Sequence, residues 1–200
     1  MAIIKPMVRS NICLNAHPVG CAKETERQIE FVKAKKAERG IKGAKEGGNG
    51  PKFVLVLGCS TGYGLASRIS AAFEYEADTI GVSFEKEPTE KKGGTPGWYN
   101  NMAFDRAAKN AGLISETFNA DAFSHETRKL IIEEAKKLGR KFDLVVYSLA
   151  SPVRSDPDKI DPNSADGNHI LWIVGHRISA YYKVTEETKE ILEVTIENKG

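Results

Sequence analysis

Five apolar residues, FVLVL at 53–57, run straight into Gly58-Cys59-Ser60-Thr61-Gly62-Tyr63-Gly64, and few folds accept that junction. A short run with no polar residue marks a strand buried on both faces. Beyond the glycines, Leu65, Ile69, Ala72 and Phe73 recur at helical spacing. The glycines must turn the chain tightly from strand to helix, and a Cβ there would hold the main chain away from anything it approaches. The start of a helix offers unpaired N–H groups and the positive end of its dipole. Strand, glycine turn and amphipathic helix in that order make a seat for a pyrophosphate. A plain tight turn also uses glycine, but does not require this context.

The pattern continues. TIGVSF at 79–84 and FDLVVY at 142–147 read as further strands, and 113–118 as a weaker one. Helices are expected over 101–111 and 126–138; Gly112 and Gly139 follow them. Strands alternating with helices imply an α/β fold with a doubly wound parallel sheet. Right-handed crossovers favour the Rossmann-like order 3-2-1-4. Ahead of this unit, 3–21 reads as irregular, punctuated by Pro6 and Pro18. A helix is expected over 24–39, ended by Gly40, and the four glycines of 43–51 suggest a flexible loop. After Arg154 the chain turns polar and rich in Asp and Pro, holds an apolar island ILWIV at 170–174, and closes on a charged stretch. Three parts follow: an extension and linker over 1–50, a Rossmann-like domain over 51–154, and a divergent tail over 155–200.

Gly-x-x-x-Gly-x-Gly is the spacing that short-chain dehydrogenases use for dinucleotides. Glu85 stands 21 positions after Gly64, at the end of the second strand, where an acid grips the adenosine ribose. A carboxylate there accepts hydrogen bonds from both ribose hydroxyls and repels a 2′-phosphate, so the expectation is NADH rather than NADPH. Asp121 and Ala122 follow the third strand, where a carboxylate can meet the adenine amino group. Leu149 and Ala150 follow the fourth, between Ser148 and Ser151, where small residues let the cofactor cross the sheet.

Net charge is +2 from 29 basic and 27 acidic residues, which gives no electrostatic case for nucleic acid or a membrane surface. Cys13, Cys21 and Cys59 show no Cys-x-x-Cys spacing, and no signal peptide or long apolar run is visible. A cytoplasmic location is expected. His17, His169 and His176 lack partners at metal-ligand spacing, so no metal is expected. Trp98 and Tyr99 are placed in a loop after the second strand, as a cofactor shield or as packing, and Lys91 and Lys92 on the surface.

Longer stretches carry a resemblance. They are IIKPMVRSNICLNAHPVGC at 3–21, VLVLGCSTGYGLASRISAAF at 54–73, TIGVSFEK at 79–86, GTPGWYNNMAF at 94–104, DAFS at 121–124 and DLVVYSLASPVR at 143–154. Over about the first three-quarters, the chain resembles the NADH-dependent trans-2-enoyl-CoA reductases, relatives of the bacterial monomeric enoyl-acyl carrier protein reductases. The resemblance implies a Rossmann-type fold, fatty acid metabolism, and reduction of the 2,3 double bond of a trans-2-enoyl thioester by hydride from NADH. By position it implies dinucleotide contacts at Gly58, Cys59, Ser60, Thr61, Gly62, Tyr63, Phe84, Glu85, Asp121, Ala122, Leu149 and Ala150. It also implies that 3–21 forms extra strands near the active site, and that the protein is a monomer.

Members of that family are about twice as long, and pair a proton-donating tyrosine with a lysine nine positions later. Nine positions after the six tyrosines of this chain stand Ala72, Phe84, Ala108, Asp156, Glu190 and Ile191. No catalytic residue is therefore assigned, and 159–182 departs from the family before 184–198 returns to it. The reading is a cofactor-binding portion of such an enzyme; the alternatives are a non-catalytic dinucleotide-binding module or an inactive gene fragment.

Overall fold

The computed structural model describes residues 8–9, 12–13, 16–90 and 92–149. Strands β1 (Val8–Arg9) and β2 (Ile12–Cys13) pair antiparallel, and helix α1 (Pro18–Arg39) follows. Then come β3 (Phe53–Leu57), α2 (Gly62–Phe73), β4 (Asp78–Ser83), α3 (Pro96–Asn110), β5 (Ser115–Asn119), α4 (His125–Lys137) and β6 (Leu144–Tyr147). The last four strands form one parallel sheet in the order β5-β4-β3-β6, the expected 3-2-1-4.

Alternation along β3 builds two cores. Val54 and Val56 meet Ala71 of α2, Cys59 and Ala77 on one face. Phe53 and Leu55 join Ile80 and Val82 of β4 on the other, under Ile131 and Ala135 of α4. Each buried valine, leucine, isoleucine or phenylalanine among them stabilises the fold by roughly 1.5–3 kcal/mol. Helix α1 packs on α2 and α3: Ile29 shares a cluster with Leu65, Ile69, Phe73, Phe104 and Ala108. Two aspartates fix register at the strand starts. Asp78 accepts the Ile114 N–H at 2.7 Å, and Asp143 accepts the N–H groups of Lys52 and Phe53, each at 2.8 Å.

Three expectations need correction. Residues 18–21 are helical: Pro18 occupies the first turn, where a missing N–H costs nothing, and His17 Nδ1 accepts the Gly20 N–H at 3.1 Å. Trp98 and Tyr99 lie within α3, not in a loop, because Pro96 opens that helix in the same way. The glycine-rich 43–51 contains a single 3-10 turn at Ala44–Glu46, and it is tied down. The Ala44 N–H donates to the Tyr75 carbonyl at 2.8 Å, and Lys45 N–H to Glu76 at 3.0 Å. Lys36 Nζ also meets Glu76 at 2.8 Å, which raises the lysine pKa and lowers that of the glutamate.

Candidate functional site

The glycine loop leaves β3 at Gly58, whose φ of +85° strains a residue with a side chain, and whose added Cβ would lie 2.0 Å from the Ser148 carbonyl oxygen. A Cβ at Gly64 would lie 1.9 Å from the Gly58 carbonyl, so the helix presses directly on the strand end. The N–H groups of Gly58 and Cys59 donate to the Val82 carbonyl at 2.8 and 3.1 Å, which fastens the loop to β4. Gly62, at φ +54°, faces open space. Thr61 precedes α2 without capping it through its side chain. The first-turn amides of α2 are left for an outside acceptor, which fits an anionic group such as a pyrophosphate.

Glu85 stands one residue beyond Phe84 at the end of β4, half-buried. Its Oε1 accepts from Ser60 Oγ at 2.5 Å and its Oε2 from Thr95 Oγ1 at 2.5 Å. Its backbone is held by Asn119, whose side chain accepts the Glu85 N–H at 2.7 Å and donates to the Glu85 carbonyl at 3.0 Å. Asn100 Nδ2 donates to the Ser60 carbonyl at 3.0 Å, joining α3 to the glycine loop. Thus the glycine loop, with Gly58, Ser60 and Gly62, and Glu85, 25 residues beyond Ser60, meet past the ends of the two central strands β3 and β4.

The other candidates are placed as follows. Tyr63 and Phe84 project into solvent, 83% and 81% exposed. Thr61 is exposed. Leu149 lies beside Gly58, its Cδ2 3.2 Å from where a Cβ would stand. Asp121 is exposed past β5, its Oδ1 accepting the Phe123 N–H at 2.9 Å, and Ala122 packs partly against the core. Cys59 contributes only backbone on the open side, since its thiol is fully buried beneath the loop. Burial pushes that thiol pKa up, against the opposing pull of Arg68. Ala150, Lys91, His169, His176, the island at 170–174 and the tail over 155–200 lie outside the described residues.

Three contributors were missed in the sequence. Thr95 and Asn119 carry no motif that marks them. The third is Arg68, wholly buried, with its guanidinium 4.4 Å from the Phe104 ring centre. It donates to Thr79 (3.1 Å), Thr117 (2.7 Å), Ser115 (3.1 Å), Asp105 (3.1 Å) and the Glu116 carbonyl (2.9 Å). A Cβ at Gly81 would stand 2.5 Å from Arg68 Nη1, so the glycine inside β4 was the available signal. Among the described residues no group of three or more potential ligands could hold a metal ion, and no helix is long and apolar enough to cross a membrane.

With that geometry in view, two family models match the chain. One describes the NAD(P)H binding domain of trans-2-enoyl-CoA reductase, over residues 3–90. The other describes the trans-2-enoyl-CoA reductase catalytic region, over residues 92–198, beyond the three-quarters read from the residues. A trans-2-enoyl-CoA reductase (NADH) of Treponema denticola is 66% identical over 156 residues, covering 78% of this chain and 38% of that protein. An enoyl-acyl-carrier-protein reductase (NADH) of Idiomarina loihiensis is 59% identical over 195 residues, covering 98% of this chain and 46% of that protein. The crystal structure of the Treponema denticola trans-2-enoyl-CoA reductase in complex with NAD superposes with a TM-score of 0.71 at 65% identity, covering 79% of this chain and 39% of that one. The chain therefore spans less than half the length of these relatives.

Proposed function

The chain belongs to the trans-2-enoyl-CoA reductase family, and from that premise we propose that residues 51–154 are its NADH-binding portion, flanked by an extension over 1–50 and a tail over 155–200. The observation that carries this reading is the Glu85 carboxylate, fixed through both oxygens beside a glycine loop whose helix amides are uncapped. The pyrophosphate is assigned to the loop from Gly58 to Tyr63: Gly58 and Cys59, whose N–H groups are held by Val82, shape the turn, and the backbone of Ser60, Thr61, Gly62 and Tyr63 faces the anion. Glu85 accepts from the ribose hydroxyls, and Phe84 and Asp121 with Ala122 border the adenine. Leu149 and Ala150 let the dinucleotide pass toward its nicotinamide end. When bound, the reduced nicotinamide supplies a hydride.

The substrate class proposed for the complete enzyme is a trans-2-enoyl thioester, on CoA or acyl carrier protein, reduced at the 2,3 double bond in cytoplasmic fatty acid synthesis by a monomer. These 200 residues hold no tyrosine followed nine positions later by lysine, so the second reading, of this stretch by itself, is a non-catalytic dinucleotide-binding module. Titration of the purified chain with NADH and NADPH tests the first point. NADH should bind and NADPH should bind far more weakly, and Glu85→Ala should narrow the gap. No affinity for NADH in folded material would overturn the assignment. Crotonyl-CoA-dependent loss of NADH absorbance separates an enzyme from a binding module.

A further inference from the structure

A carboxylate selects against a 2′-phosphate only if it is held where that phosphate would sit, and a glutamate on a strand end has three free torsions with which to swing away. Here it is tied at both oxygens. Thr95 Oγ1 accepts the Lys86 N–H at 3.2 Å. A hydroxyl has one proton to give, and the Glu85 carboxylate at 2.5 Å is a far better acceptor than the Lys86 carbonyl at 3.4 Å. The proton of Thr95 is therefore committed to Glu85 Oε2, while Ser60 donates to Oε1 from the glycine loop.

The third wall is Gly97. A Cβ built there would stand 2.1 Å from Glu85 Oε1 and 2.8 Å from Ser60 Cβ. The carboxylate thus fills the space a larger residue would occupy. Thr95 also closes the intervening loop, its N–H donating to the Lys86 carbonyl at 3.0 Å and the Gly94 N–H to the Tyr99 hydroxyl at 2.8 Å. With one oxygen committed to each hydroxyl, the remaining lone pairs of Glu85 are left for an incoming diol.

We propose that Thr95, with the space kept by Gly97, is the positioning residue that gives Glu85 its selectivity between NADH and NADPH. This rests on the cofactor reading above. The side chain of Thr95 meets no nucleotide in this proposal; it acts through the glutamate. The Gly94-Thr95-Pro96-Gly97 segment is then part of the specificity determinant rather than a mere helix start.

The experiment is a comparison of dissociation constants for NADH and NADPH in the full chain and three variants. Thr95→Val keeps the shape and removes the proton donor; the ratio of NADH to NADPH affinity should fall about tenfold. Thr95→Ser should restore it. Gly97→Ala suits the helix but displaces the carboxylate without altering its charge, and should lower the ratio by a similar factor even if Thr95→Val fails to fold. An unchanged ratio in folded Thr95→Val or in Gly97→Ala, with the wild-type chain binding NADH, overturns the role of Thr95 alone. A folded wild-type chain with no affinity for NADH overturns the cofactor reading, and this one with it.

Discussion

Two carboxylates in this molecule are each held by hydroxyl groups, and they stand in opposite surroundings. Asp105 accepts from Ser115 at 2.5 Å and Thr117 at 2.7 Å and pairs with the buried Arg68. Its whole complement of partners is internal, and the arrangement joins α2, α3, β4 and β5. Glu85 accepts from Ser60 and Thr95 at the same short range, but past the end of the central strand β4. There the protein supplies only part of what a carboxylate can accept. The first group is satisfied by folding; the second is oriented by folding and left with capacity. The difference teaches that similar local chemistry becomes a closed brace where an opposite charge is buried with it, and keeps accepting capacity where none is, as the proposed cofactor site requires.

The sharpest way to break the comparison is Asp105→Asn. It leaves the Arg68 cation buried without a carboxylate, and should lower stability by about 2–4 kcal/mol in denaturant unfolding, less than for a fully buried pair because the Asp105 side chain is 30% exposed. Gly81→Ala should cost less, about 1–3 kcal/mol, since the methyl must displace a packed guanidinium and the Cys59 thiol. Glu85→Ala should cost about 1 kcal/mol, because removing the half-buried carboxylate leaves room for water beside the Ser60 and Thr95 hydroxyls, while its effect on nucleotide preference should be large. A stability loss for Glu85→Ala equal to that of Asp105→Asn would erase the distinction.

The smallest effect concerns Glu76, which braces α1 and the turn at Ala44–Glu46 through Lys36. Its pKa is lowered chiefly by the hydrogen bond from Lys36, so its contribution is present above the unfolded value of about 4.3 and lost as pH falls through the lower folded value. Glu76→Gln should therefore destabilise by roughly 0.5 kcal/mol at neutral pH and flatten the acid limb of a melting-temperature profile below about pH 4. An unchanged acid limb would remove Glu76 as a brace.

The sheet order was legible because FVLVL and the glycine turn admit few alternatives, and because Gly40, Gly112 and Gly139 mark the ends of helices. Helix starts were less legible. Pro18 and Pro96 look like breaks in a linear string, yet at a first helical turn proline is accommodated. Glu85 could be found by counting from the glycines, since strand and helix lengths fix that distance. Thr95 could not, since the loop before it has no fixed length and only the closed structure brings its hydroxyl to the carboxylate. Arg68 was hidden by composition: a charged residue on a helix is read as exposed until Gly81, one strand away, is seen to vacate space for it.

The aspartate at the start of β6 has a kinetic corollary. Asp143 reaches Phe53 across 90 residues of chain, whereas the bond from Ile114 to Asp78 spans 36. Closing the longer loop carries the greater entropic cost, so β6 should zip onto β3 after the other strands have assembled. In native-state hydrogen exchange, the amides of Lys52 and Phe53 should report that final docking step, opening ahead of the amides that join β3 to β4.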